Sequence, residues 1–247
     1  MKLKIWRSGK DGRDARYEVY DIRSTPGMSV LEALFAVQDE YDDSLAFRYS
    51  CRGAVCGSCA MSINREPRLA CRTQVSRIAE TKSLGLRQFP GLARDEPWDK
   101  DAEILIEPLP NLRIERDLIV DMTRFYEAYK SMRPWLDDSE GREGIAKMLP
   151  NDVSRVEKFA NCILCAACFG ACPVCEKDQE YVGPAALAWL YRFFDDPREP
   201  RKAEKLSLAG ERFGAPDCEF VYNCVKVCPK DVAPALAIRK LRDRLDK

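Results

Sequence analysis

Cys162-Ile163-Leu164-Cys165-Ala166-Ala167-Cys168-Phe169-Gly170-Ala171-Cys172-Pro173 is the stretch on which the architecture turns. Its spacing, C-x2-C-x2-C-x3-C-P, is the bacterial-ferredoxin run, in which three thiolates hold one iron–sulfur cluster and the fourth reaches across to another. A second run is therefore required. Cys218, Cys224 and Cys228, followed by Pro229, repeat the intervals of Cys162, Cys168 and Cys172, with Val221 standing where the counterpart of Cys165 belongs.

Ligand counting follows from the crossed arrangement. Cys162, Cys165 and Cys168 gain Cys228, a full set of thiolates for a 4Fe-4S cluster. Cys218 and Cys224 gain Cys172, one thiolate short, and the alkyl side chain of Val221 cannot bind iron. The spacing therefore predicts a 3Fe-4S cluster at the second position, the rival being a four-iron cluster with water or another outside ligand on its last iron. Pro173 and Pro229 fix their own φ and push Cys172 and Cys228 toward extended geometry. Cys175 is left over, either as a free thiol packed near the three-iron position or as half of a C-x-x-C redox pair with Cys172.

Upstream lies another group, Cys51-Arg52-Gly53-Ala54-Val55-Cys56-Gly57-Ser58-Cys59, with Cys71 beyond it. C-x4-C-x2-C plus a distant fourth cysteine is the plant-type arrangement for a 2Fe-2S cluster. The loop must curl tightly, and Gly53 and Gly57 are expected to allow the necessary backbone angles and close approach. Amide N–H groups in such a curl can donate to the sulfurs. Zinc held by Cys51, Cys56, Cys59 and Cys71, or unligated redox-active thiols, are the alternatives.

Around these groups the chain reads as two domains, residues 1–105 and 106–247. The first is a small mixed fold: strands at Leu3–Trp6 and Arg16–Tyr20, a helix from Val30 to about Asp39, strands at Ala60–Ile63 and Leu69–Cys71, and a closing strand at Ile104–Glu107. Ser29 with Glu32 gives that helix a capping box. A turn is expected over Asn64–Pro67. The second domain reads as helical, with helices at Ile119–Lys130, Val153–Asn161, Pro184–Phe194, Arg201–Leu208 and Ala235–Leu245, a loop at 137–144, and its cysteines in the joints.

Composition narrows the chemistry. Among 247 residues there are twelve cysteines and no histidine. That excludes a Ser-His-Asp unit, a His-ligated haem, a Rieske centre and Cys-His zinc sites within the chain. Forty basic and forty acidic side chains leave no basic footprint for nucleic acid. No secretory signal or membrane-spanning run is visible, which points to a reducing compartment and leaves a membrane face open. No dinucleotide fingerprint or phosphate loop marks a substrate pocket, so three one-electron centres suggest a wire between partner sites.

The sequence resembles the iron–sulfur subunit of succinate dehydrogenase and of quinol:fumarate reductase. The resemblance covers nearly the whole chain: Ser50–Cys59, Ile106-Glu107-Pro108-Leu109-Pro110-Asn111, Arg116–Met122, Cys162–Cys165, Gly183-Pro184-Ala185-Ala186 with Arg192-Phe193, and Cys224–Lys230. It implies an α+β chain with an N-terminal β-grasp, plant-type ferredoxin-like domain followed by an all-helical, bacterial-ferredoxin-like domain. It implies an FAD-containing flavoprotein partner that interconverts succinate and fumarate. Electrons then move between that partner and a quinone through the two-, four- and three-iron clusters in turn. The quinone lies against a membrane anchor of the cytochrome b type, often carrying haem b, so the chain is expected to be peripheral on the cytoplasmic face of the membrane. The family's ligand sets agree with the crossed assignment.

The matching quinone region is Pro173, Val174, Lys177, Glu219 and Phe220. Lys177 stands where ubiquinone-linked members carry tryptophan and Glu219 where they carry histidine, which favours menaquinone. Glu219 has two open readings, proton transfer or an ordinary surface ion pair. Arg239 and Arg242 face either anchor and headgroups or plain solvent. The neighbouring alternatives are a related complex using methylmenaquinol or a thiol, and a zinc-stabilised scaffold.

Overall fold

Leu3, Ile5 and Arg7 alternate with less buried neighbours, and this period of two places Lys2–Arg7 in strand β1. The protein is described from a computed structural model covering residues 1–78, 83–92, 94, 96–137, 144 and 146–247. β1 pairs antiparallel with β2 (Arg16–Asp21). Helix α1 (Val30–Glu40) begins at the expected capping box: the Ser29 hydroxyl accepts from the Glu32 amide at 3.2 Å, and the Glu32 carboxylate accepts from the Ser29 amide at 2.7 Å. Val30, Leu31, Ala33, Leu34 and Val37 are buried along it.

Strands β3 (Ala60–Ile63) and β4 (Glu66–Leu69) form a hairpin tighter than the sequence suggests. Its turn is Asn64–Arg65, with φ of 50° and 62°, as a two-residue turn of the mirror-image kind requires. Pro67 therefore lies inside β4 opposite Ser62, which is tolerated because β4 is an edge strand. A short helix α2 (Val75–Ile78) precedes β5 (Glu103–Glu107). The sheet order is β2-β1-β5-β3-β4, with β1 and β5 parallel and the other pairs antiparallel, consistent with the β-grasp reading.

Ile119 does not start a helix. It lies in β7 (Ile119–Val120), paired with β6 (Ile114–Arg116), and helix α3 (Thr123–Ser131) begins only afterwards. Pairing with β6 overrides the helical spacing of its neighbours, and two β-branched residues suit the strand. The remaining helices are α4 (Pro150–Ala160), α5 (Ala167–Gly170), α6 (Pro173–Lys177), α7 (Gly183–Phe194), α8 (Lys202–Gly210), α9 (Asn223–Lys226) and α10 (Pro234–Leu245). Prolines sit in the first turn of α4, α6, α7 and α10, where a missing N–H is harmless. The loop expected at 137–144 falls, over 138–143, outside the described residues.

The chain forms two compact units, Met1–Met122 with Ile163–Ala171, and Thr123–Cys162 with Cys172–Lys247. The first thus runs past residue 105 and takes in part of the second cysteine run. Asp117, 1% exposed, explains the extension. Its carboxylate accepts from Arg7 Nε at 3.1 Å and from the amides of Ser8 at 2.8 Å and Ala46 at 2.9 Å. Arg7 also binds Glu18, Asp42, Tyr20 and Ser44. Burial alone would pull its guanidinium down, but Asp42 and Asp117 reverse this and hold it above the ordinary value. Asn111 Nδ2 donates to the carbonyls of Phe169 at 2.9 Å and Gly170 at 3.3 Å, which ties Ile163–Ala171 to the first unit. In the second unit, α7 lies against α3, α4, α8 and α10. Among the described residues no helix is long and apolar enough to cross a membrane.

Removing one partner of a buried ion pair costs about 3–5 kcal/mol. Asp117→Ala is therefore expected to lower the unfolding free energy of the metal-loaded chain, read from urea denaturation, by about that much, whereas an unchanged urea midpoint would deny the node its role.

Candidate functional site

In the first unit, the loop after Ser50 curls so that backbone amides face sulfur. The amides of Gly53, Val55 and Cys56 donate to Cys51 Sγ at 3.4, 3.4 and 3.3 Å, and the Cys51 amide donates to Cys56 Sγ at 3.5 Å. The Cys71 amide donates to Cys59 Sγ at 3.5 Å. The Ser58 hydroxyl and the Cys51 amide hold the Cys56 thiol down at about 6, while burial pushes Cys59 up. Arg52 lies over the rings of Phe35 and Tyr49, at 4.8 and 5.4 Å, and anchors the entry to the loop.

The two glycines of this loop differ. Gly57 has φ +74°, and a Cβ on it would fall 2.8 Å from Cys165 Cβ and 3.0 Å from the Ile163 carbonyl oxygen. It is needed both for its backbone angle and for the close approach of the two cysteine loops. Gly53 does not meet the same expectation: its nearest obstruction is 3.7 Å away, and the left-handed residues beside it are Arg52 and Ala54.

The runs beginning at Cys162 and Cys218 share a backbone signature. Leu164 and Ala166 have φ of 53° and 61°, and Phe220 and Tyr222 have φ of 49° and 64°. Ala166 and Tyr222 are the N-caps of α5 and α9. The left-handed residues fall at the same offsets from the first cysteine of each run, so Cys165 and Val221 occupy equivalent places between them. Such residues cost of order 1–3 kcal/mol each, and this repeated strain belongs to a repeated function.

Cys172, Cys218 and Cys224 line one partly open cavity of the second unit. Val221, Pro173 and Tyr181 line it too. Burial pushes Cys224 up to about 12 and raises Cys218. Cys172 moves the other way, chiefly because the Cys175 thiol hydrogen-bonds to it. Cys172 is extended, φ −93° and ψ 117°, as the following proline requires. Cys175 is fully buried. Arg124 donates to the carbonyls of Cys175, Asp178 and Gln179 at 3.1, 2.9 and 2.8 Å, holding the end of α6.

Of the remaining cysteines, Cys165 and Cys168 lie in the first unit and Cys162 and Cys228 in the second. None of the twelve is in a disulfide. Among the described residues no group of three or more acidic or sulfur side chains closes on a single-ion site. Lys177 and Glu219 form an exposed ion pair at 2.8 Å. Arg242 donates to the Cys218 carbonyl at 3.3 Å and lies over Phe220, while Arg239 binds the Tyr222 hydroxyl. Both basic residues therefore brace the cysteine loop.

Sequence reasoning passed over Tyr181. It is 1% exposed, and its hydroxyl closes no hydrogen bond of regular geometry. Its one sequence signal is weak, a lone aromatic ending the polar stretch 176–180. Buried thiols, amides donating to sulfur and an orphaned phenol at the cavity wall are together the donor chemistry that sulfur-bridged iron demands.

Fold and sites define an iron–sulfur electron-transfer protein. Residues 2–127 match the family model for a 2Fe-2S iron-sulfur cluster binding domain, and residues 155–229 that for a 4Fe-4S dicluster domain. The chain is 33% identical to the fumarate reductase iron-sulfur subunit of Haemophilus influenzae, over 97% of this chain and 91% of that protein. It is 33% identical to the mitochondrial succinate dehydrogenase [ubiquinone] iron-sulfur subunit 1 of Oryza sativa subsp. japonica, over 97% and 80%. A chain of the Mycobacterium smegmatis Sdh1 complex in the apo form superposes with TM-score 0.82 at 25% identity, covering 100% of this chain and 97% of that one. The protein belongs to the family of iron–sulfur subunits of fumarate reductase and succinate dehydrogenase.

Gly57→Ala combines a left-handed backbone with a clash and is expected to cost roughly 1–3 kcal/mol. Its two-iron resonance should be lost or broadened, whereas Gly53→Ala should keep the wild-type spectrum. Equal tolerance at both positions would contradict the loop geometry.

Proposed function

We propose that this chain is the electron-transfer subunit of a complex that interconverts succinate and fumarate, carrying electrons between an FAD-containing flavoprotein and a membrane quinone. Cys51, Cys56, Cys59 and Cys71 would hold the 2Fe-2S cluster, Cys162, Cys165, Cys168 and Cys228 the 4Fe-4S cluster, and Cys172, Cys218 and Cys224 the 3Fe-4S cluster. When bound, these groups supply acceptance and release of single electrons without rearrangement of bonds.

The observation that carries the three-iron assignment is Val221 at the cavity wall, in the backbone place that Cys165 takes in the other run. Three sulfurs and an aliphatic side chain leave one iron corner without a protein ligand. The chain's own residues do the remaining work. Amides of Gly53, Val55 and Cys56 stabilise charge on Cys51. Pro173, Val174, Pro184 and Ile238 make most of the wall around Cys172, Cys218 and Cys224 apolar. Arg239 and Arg242 fix the loop that begins at Cys218.

The exposed Lys177–Glu219 pair occupies the rim where the resemblance places the quinone. A charged rim in place of tryptophan and histidine supports menaquinone, and an anchor of the cytochrome b type, with or without haem b, would complete the pocket and hold the chain at the membrane face. Cys175 is fully buried, which disfavours exchange with an outside thiol. The test is to purify the intact complex and assay succinate oxidation and fumarate reduction with defined quinones. Quinone-linked turnover in either direction is expected, and turnover with a thiol or with no dicarboxylate at all would overturn the proposal.

Val221→Cys is expected to let the third centre take a fourth iron, with loss of the oxidised three-iron resonance under iron-replete conditions. Persistence of that resonance would show that position 221 is not the vacant corner.

A further inference from the structure

Tyr181 is a buried phenol without a regular hydrogen bond, in a wall otherwise made largely of sulfur and hydrocarbon. An unsatisfied buried hydroxyl costs about 1–3 kcal/mol, so a partner for it is expected in the loaded protein. The acceptor side chains lining the same cavity are few. Glu219 is engaged by Lys177, the Tyr222 hydroxyl by Arg239, and Asn223 is buried at the start of α9. The others are the sulfurs of Cys172, Cys218 and Cys224. The hydroxyl lies close to the Cys218 sulfur on the wall of this cavity. A phenol carries its proton at neutral pH, so the hydroxyl is available as a donor.

We propose that Tyr181 is a positioning residue for the three-thiolate centre, donating a hydrogen bond to a sulfur of the group held by Cys172, Cys218 and Cys224 and thereby raising that centre's reduction potential. The inference rests on the three-iron assignment above. Its physical basis is general: reduction adds negative charge that is shared with the sulfurs, and a donor aimed at sulfur stabilises the reduced form more than the oxidised one. The neighbouring thiol of Cys175, hydrogen-bonded to Cys172, acts in the same sense on another sulfur.

Tyr181→Phe keeps the ring and removes only the hydroxyl. Redox titration of the purified complex, followed by the three-iron resonance, is expected to show an undiminished oxidised signal. The equilibrium constant for one-electron reduction should fall about tenfold, or 59 mV for a one-electron couple. An undiminished signal with an unchanged midpoint overturns the proposal. A wild-type complex lacking the three-iron resonance would overturn the underlying assignment instead. If the variant does not load its centre, the wild-type complex decides. Electron–nuclear double resonance after exchange into deuterated water should reveal an exchangeable proton coupled to the oxidised centre, and the absence of any such proton overturns the proposal.

Discussion

A sulfur atom taken out of water must be either protonated or neutralised by a cation. Cys224, pushed up to about 12, and Cys59, also raised by burial, would hold their protons at neutral pH if nothing else were bound. Iron removes that penalty, because a bound cation favours the thiolate. The requirement to bring several sulfurs to one place, with donors facing them, then dictates the local backbone. It explains the amides around Cys51 and the left-handed residues between cysteines. It also explains the extended Cys172 ahead of Pro173.

The framework around these loops keeps them from relaxing. Asp117 joins β1 to the segment at Ala46 that leads into the first cysteine loop. Asn111 holds the carbonyls at the end of α5, and Gly57 admits Cys165 to within contact of its own loop. In the second unit, Arg124 fixes the end of α6 behind Cys172 and Cys175, while Arg242 holds the Cys218 carbonyl. Apart from Gly57, these contacts are made by side chains outside the cysteine runs, so the sites depend on both β-grasp and helical packing.

Much of this is legible in the residues themselves. The Ser29–Glu32 capping box, the period of β1, the proline opening α7, and the interval that makes Val221 the counterpart of Cys165 all act over short distances. What stayed hidden depends on partners remote in the chain. Ile119 joins β6 although its neighbours are spaced like a helix. Gly53 looked conformationally necessary, yet Arg52 and Ala54 take the left-handed positions. Leu164, Ala166, Phe220 and Tyr222 give no warning of positive φ, because glycine and asparagine are the residues that normally announce it. Tyr181 and Asp117 matter only through what folding places beside them.

Under the ligand assignment proposed above, this chain holds three different iron–sulfur centres, one of them lacking an iron for want of a ligand at Val221. Mössbauer spectroscopy of anaerobically isolated, iron-57-enriched complex, with iron and sulfide analysis, tests it most directly. Separate two-, four- and three-iron components are expected, totalling about nine iron and ten sulfide per chain. Zinc in place of iron, or iron without a three-iron component, would contradict it.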